Sequence, residues 1–116
     1  MVAVSNLIDV PKITNDALTA ASQTAGVQVG KIRDVLKDDL DELGAMASEI
    51  AEKRLKNEIS AQDADDLFEQ HKNSVRIALL EIQGLTTLAI EATINAVLNV
   101  FIKALNTAVG AGLKIL

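Results

Sequence analysis

Apolar side chains recur along this chain at helical spacing. Leu36, Leu40, Leu43, Ala47 and Ile50 step by four, three, four and three positions, and Arg54 falls one step further on. That is a heptad seam on one face of an α-helix. Arg33, Lys37, Asp41, Glu52 and Lys56 occupy the opposite face. A single proline, Pro11, interrupts nothing after it and suits a first helical turn, with Asp9 or Val10 as the flanking cap. The pattern predicts one helix over about residues 12–57, preceded by an irregular segment over residues 1–10.

The next break falls near Ile59-Ser60. Ser60 followed by Asp63 has the form of a capping box, with Asp in the Glu/Gln position. Asp63, Asp65 and Asp66 then occupy a first turn, where the helix dipole favours anions. A second helix follows over about residues 61–109, and Gly110-Ala111-Gly112 is expected to stop it.

Two helices of roughly 45 residues would each be about 65–70 Å long. A compact chain of this size has a radius of gyration near 13–14 Å. The expected architecture is therefore an all-α long antiparallel helical hairpin, one helical domain over residues 1–116, packed into an oligomeric helical bundle. Residues 43–58 would lie along 60–75, and residues 12–30 along 88–106. The alternative is a first helix broken near Gly26–Gly30, which yields a three- or four-helix bundle; Gly44 is another candidate break.

On a wheel of about 100° per residue the late helix divides unevenly. Glu91, Asn95, Asn99, Lys103 and Asn106 share a polar stripe about 120° wide with Glu81 and Gly84. The rest is aliphatic or Phe. One partner helix covers a stripe of about 100°, and the small Ala17, Ala20, Ala21 and Ala25 of the early helix cannot cover the remainder. Leu79, Ile82, Leu85, Ile90, Ile94, Val97, Leu98, Phe101, Ile102 and Leu105 are therefore expected to meet other copies or a helical protein partner.

Lipid is the competing occupant. Residues 82–102 carry one charge, Glu91, and are long enough to span a bilayer. A ring of such helices would turn the polar stripe into a pore lining. Gln83, Glu91, Asn95 and Asn99 oppose a lone span, and no Trp or Tyr is present to anchor one at the interface.

Charge is unevenly placed: residues 31–74 hold nineteen of the twenty-seven charged side chains. The turn of the hairpin would thus be water-loving and the two arms charge-poor. The net charge of −5, without a Lys/Arg cluster or an aromatic stacking platform, argues against nucleic acid. There is no cysteine, hence no disulfide frame. The start lacks a positive n-region, so no secretory signal is read and the cytoplasm is the default location.

Candidate chemistry is sparse. Gly26-Val-Gln-Val-Gly30 has small-xxx-small spacing, read as a helix break or a close crossing. Asn95 and Asn99 are either a solvated stripe or register-setting seam residues. His71 is the only histidine and no Glu-x-x-His pair exists, so no metal site is expected. The acidic runs Asp38-Asp39, Asp41-Glu42 and Asp63/Asp65/Asp66 interleave with Lys and Arg and read as a solvated face rather than a cation loop. No phosphate-cradling loop, nucleophile elbow or His/Cys or His/Ser pair is present. The expected function is a non-enzymatic assembly or adaptor protein without cofactors, with a pore-forming amphipathic protein as the alternative.

Overall fold

In a computed structural model, which describes the backbone of residues 8–115 and the side chains of residues 8–110, every regular element is a helix. Five follow in order: α1 (Val10–Ala25), α2 (Val29–Leu55), α3 (Ala61–Glu69), α4 (Lys72–Leu80) and α5 (Thr87–Ile115). The all-α class follows the apolar periodicity. The two uninterrupted helices expected over 12–57 and 61–109 do not form; breaks at residues 26–28, 70–71 and 81–86 divide them.

Each break has a local cause. Asp9 accepts a hydrogen bond from the Lys12 N–H at 3.2 Å and Pro11 lies in the first turn, so α1 starts as its sequence implies. Gly26 ends α1 in the left-handed conformation (φ +70°), where a Cβ would be penalised. α2 passes through Gly44 without a break and ends at Leu55, and two residues on Asn57 takes φ +58°, a region Asn tolerates. The Glu58 N–H reaches back to the Lys53 carbonyl at 2.8 Å and closes that end. Ser60 Oγ accepts from the Asp63 N–H at 3.0 Å, while Asp63 accepts from the Ser60 N–H at 3.1 Å. The capping box is complete.

Two breaks were not expected. At Gln70-His71 both residues stay in the right-handed helical region, and the chain only kinks through tightened turn bonds such as His71 N–H to Phe68 O. At 81–86, Gly84 takes φ +93° and Thr86 Oγ accepts from the Ala89 N–H at 3.1 Å, which caps α5. At the far end α5 runs on through Gly110 and Gly112 to Ile115. Glycine weakens a helix by about 1 kcal/mol but stops it only where the backbone turns left-handed.

The breaks fold the chain back on itself. α1 packs on both α2 and α5, and α5 touches α1, α2, α3 and α4. The three long helices meet at Gly44, where an added Cβ would lie 2.8 Å from Val10 Cγ1, 3.2 Å from Thr14 Oγ1 and 3.9 Å from the Phe101 ring. Its missing side chain lets the start of α1 lie against the middle of α2. α3 and α4 together lead back along α2, tied by a hydrogen bond from Ser74 to Asp39. The radius of gyration is 14.5 Å and the longest dimension 48 Å. That length matches one 29-residue helix rather than a 45-residue one.

Candidate functional site

Most of the large aliphatic side chains on α5 are covered by the chain itself, with Leu88 the exception. Leu79, Ile82, Ile90, Ile94, Val97, Leu98, Phe101 and Leu105 are buried in one core, and Leu85 and Ile102 are half-buried against it. These are the ten side chains expected to meet another chain. Eight are inaccessible and none is an exposed face, so surplus apolar area on α5 gives no support to an oligomer. A single partner helix would leave most of α5 bare; the observed breaks supply four, and together they cover far more than a 100° stripe. Leu36, Leu40, Leu43, Ala47 and Ile50 of the α2 seam are in the same core, joined by Phe68 and Val75 from α3 and α4.

The polar stripe faces outward. Asn95, Asn99, Lys103 and Asn106 are exposed, so the asparagines lie on the solvated surface rather than in a seam. Glu91 is half-buried and engaged. Its two oxygens accept from Arg76 Nε at 2.7 Å and from Arg76 Nη2 at 2.9 Å, a bidentate clamp between α4 and α5. The hydrogen bonds from Arg76 hold the Glu91 carboxyl below its ordinary value, against a smaller opposing effect of burial. The same bonds raise Arg76. Arg76 Nη1 also donates to Asn73 Oδ1. The only buried polar side chain in the core is Thr93, among the described residues, and its hydroxyl donates to the Ala89 carbonyl at 2.7 Å.

This clamp lies beside the most exposed large apolar side chains among the described residues. Ile77 is 64% exposed, Leu80 63% and Leu88 83%. Ile77 and Leu80 lie one turn apart on the outer face of α4. Leu80 is one turn beyond Arg76, and Leu88 is one turn before Glu91, so the ion pair draws those two positions toward the same end of the α4–α5 pair. Val29, at 38%, is the only other exposed large hydrophobic among the described residues. Periodicity missed the corner because it ran one continuous helix through residues 61–109. The Gly84…Thr86 pair, a stop followed by a cap, was the available signal.

Elsewhere the surface holds little chemistry. A groove of about 550 Å³ lies between the start of α1 and the last turns of α5. Ile13, Val100, Ala104 and Ala108 line it, with Asp9, Lys12, Asp16 and Lys103 at its edge. Three of those charges are engaged: Asp9 caps α1, and Lys12 pairs with Asp16 at 3.4 Å. Along α2 the charges pair at helical spacing, Lys37 with Asp41 at 3.2 Å, Lys53 with Glu49 at 3.1 Å and Lys56 with Glu52 at 2.9 Å. The Glu52 partner raises Lys56. Asp63 is lowered by the Ser60 N–H it accepts from. His71 is half-buried at the kink between α3 and α4. Among the described residues no group of three His, Cys, Asp or Glu is placed to hold a metal ion, and no buried side-chain polar atom lacks a partner.

No protein-family model matches the chain, and no curated protein or solved structure matches it.

Proposed function

We propose that this chain is a non-enzymatic helical assembly or adaptor protein that docks through the apolar corner between α4 and α5. The observation that carries the reading is the exposure of Ile77, Leu80 and Leu88 beside a core that otherwise buries its large aliphatics. At about 25 cal/mol per Å², surface of this kind forgoes several kcal/mol by staying wet. The largest apolar patch on a single-chain domain, of a few hundred Å², is often a functional one. The bidentate Arg76–Glu91 clamp holds the corner rigid, which limits the ordering cost of docking. The charged outer face of α2, with its ion pairs at i,i+4, keeps the rest of the molecule solvated.

The test is the size of the untagged protein taken from its native host. The reading expects it to travel in a complex, with itself or with a helical partner. Replacing Ile77 and Leu80 together by Ser should release it as a lone chain with its helical content unchanged. A native protein that travels alone, or a double variant that stays in its complex, removes the reading.

A membrane-active role rests on α5. Residues Thr87–Gly110 are long and apolar enough to cross a membrane, with a mean hydropathy of 1.6. In this reading α5 must leave the core, and its exposed Asn95, Asn99 and Lys103 would line a pore built from several copies. The test is dye release from lipid vesicles at micromolar protein. Vesicles that keep their contents end this reading.

A further inference from the structure

The α2 seam ends on a charge. Leu36, Leu40, Leu43, Ala47 and Ile50 are buried in the core, and the next step of four along the same face is Arg54. Arg54 is half-buried. A cation partly withdrawn from water costs stability unless it is partnered. Among the described residues its side chain makes one bond, from Nη1 to the Ile59 carbonyl at 3.3 Å. That bond helps close the end of α2 and uses one of the five N–H groups of a guanidinium. The Nε and Nη2 pair, the edge that grips a carboxylate with two parallel bonds, is left over.

The leftover donors belong to a pocket. Arg54 lines a cavity of about 360 Å³ where the end of α2, the start of α3 and the late turns of α5 meet. Ala64, Leu105 and Val109, all buried, give it an apolar floor. Asp65 and Asn106 line it as well, both exposed, and neither side chain has a partner among the described residues. Arg54 and Asp65 thus border one cavity from different helices without pairing with each other. The volume lies at the small end of the range for ligand sites, about 300–1,000 Å³.

The lining specifies a ligand by its charges. The guanidinium fork asks for a carboxylate, the Asp65 carboxylate asks for an ammonium, and the floor asks for an aliphatic group. We infer that the pocket binds a free aliphatic α-amino acid, its carboxylate on Arg54, its ammonium on Asp65 and its side chain over Leu105 and Val109. The Asn106 amide oxygen is available to a further ammonium N–H. A peptide C-terminus fits less well, because its neutral N–H brings no charge to Asp65. A dicarboxylate or phosphate is repelled by Asp65 and gains nothing from the floor. No residue of the pocket belongs to the α4–α5 corner, so the inference goes beyond the docking reading and is tested apart from it.

The test is a titration of the full ¹⁵N-labelled chain with L-leucine, followed by amide resonances up to about 20 mM. The amides of Ala64, Asp65, Asn106 and Gly110 should shift together with one dissociation constant of about 1 mM or tighter, while Gly84, in the turn before α5, stays still. N-acetyl-L-leucine lacks the ammonium and leucinamide lacks the carboxylate; each should bind at least about tenfold more weakly. Arg54→Gln should lose L-leucine by the same factor, and Arg54→Lys, which keeps the charge without the fork, by at least about fivefold. Asp65→Asn, on an exposed position, should weaken L-leucine and erase its advantage over N-acetyl-L-leucine. A merely structural role for Asp65 would leave that preference in place.

Absence of a saturable shift at the highest concentration overturns the inference. So does equal binding of L-leucine and N-acetyl-L-leucine, or a preference that Asp65→Asn does not change. Acetate that reproduces the shifts with the same constant reduces the pocket to an adventitious anion site and overturns it too. If Arg54→Gln loses its helical signal, Arg54→Lys and the blocked ligands on the native chain decide the matter.

Discussion

Asn57 and Gly44 show how much one position decides in this fold. Asn57 turns left-handed just past the end of α2, a conformation that costs most side chains about 1–2 kcal/mol and glycine almost nothing. Asn57→Gly should therefore keep or raise the melting temperature, by up to about 0.5 kcal/mol of added stability in chemical denaturation. Gly44 acts in the opposite sense. Gly44→Ala improves helix propensity but drives a methyl to 2.8 Å from Val10, a stiff β-branched side chain. The expected outcome is a net loss of about 1–2 kcal/mol, seen as a lower denaturation midpoint with the helical signal retained. Phe101, fully buried where the three long helices meet, should cost about 3–5 kcal/mol when replaced by Ala.

Helix ends and the contacts between helices carry the next set of consequences. Ser60→Ala removes half of the capping box and should cost about 1 kcal/mol, read as a lower melting temperature. The Arg76–Glu91 clamp makes stability depend on pH. Hydrogen bonding to Arg76 depresses the folded-state value of Glu91 below its ordinary 4.5. The stabilisation it lends is thus present above about pH 4.5 and fades as pH falls through the lower folded value. Melting temperatures of Glu91→Gln should accordingly fall less steeply than wild type below pH 4.5, the two curves converging in acid. Parallel curves would remove the clamp as a stabilising contact.

These same elements divide what was legible from what was not. The helix starts at Asp9 and Ser60 were readable, because each is a local bond between neighbouring residues, while the break at Gly26 stood only as the alternative to an unbroken helix. The seam from Leu36 to Ile50 was readable as a periodic face. The kink at Gln70-His71 was not, since neither residue has a backbone preference that marks it. The corner at Ile77, Leu80 and Leu88 depended on that kink and on the turn at 81–86. A wheel drawn through both breaks assigns its residues to the wrong sides. The lesson of α5 is similar: how much apolar surface is left over depends on how many helices return to cover it, and that number is set by the breaks.

Taken as one body, the bundle is held by a single core to which every helix contributes. Placing carboxylates in that core should unfold it rather than pull copies away from each other. Val97→Asp with Phe101→Asp is expected to abolish cooperative melting and the helical signal together, since both positions are fully buried. A folded double variant of smaller mass would instead mean that these side chains lie between copies. The charged length of α2 and the apolar corner of α4 and α5 then serve different ends: one keeps the molecule in solution, and the other gives it something to hold.

The order in which the helices are joined has a consequence for synthesis. α5, like α2, touches all four other helices, and it follows all of them out of the ribosome. Until it emerges, the faces of α1, α2 and α4 that it will cover have no lasting partner. Translation arrested before Thr87 should yield nascent chains that chaperones retain and proteases clear, and premature stop codons early in the α5 segment should behave as null alleles.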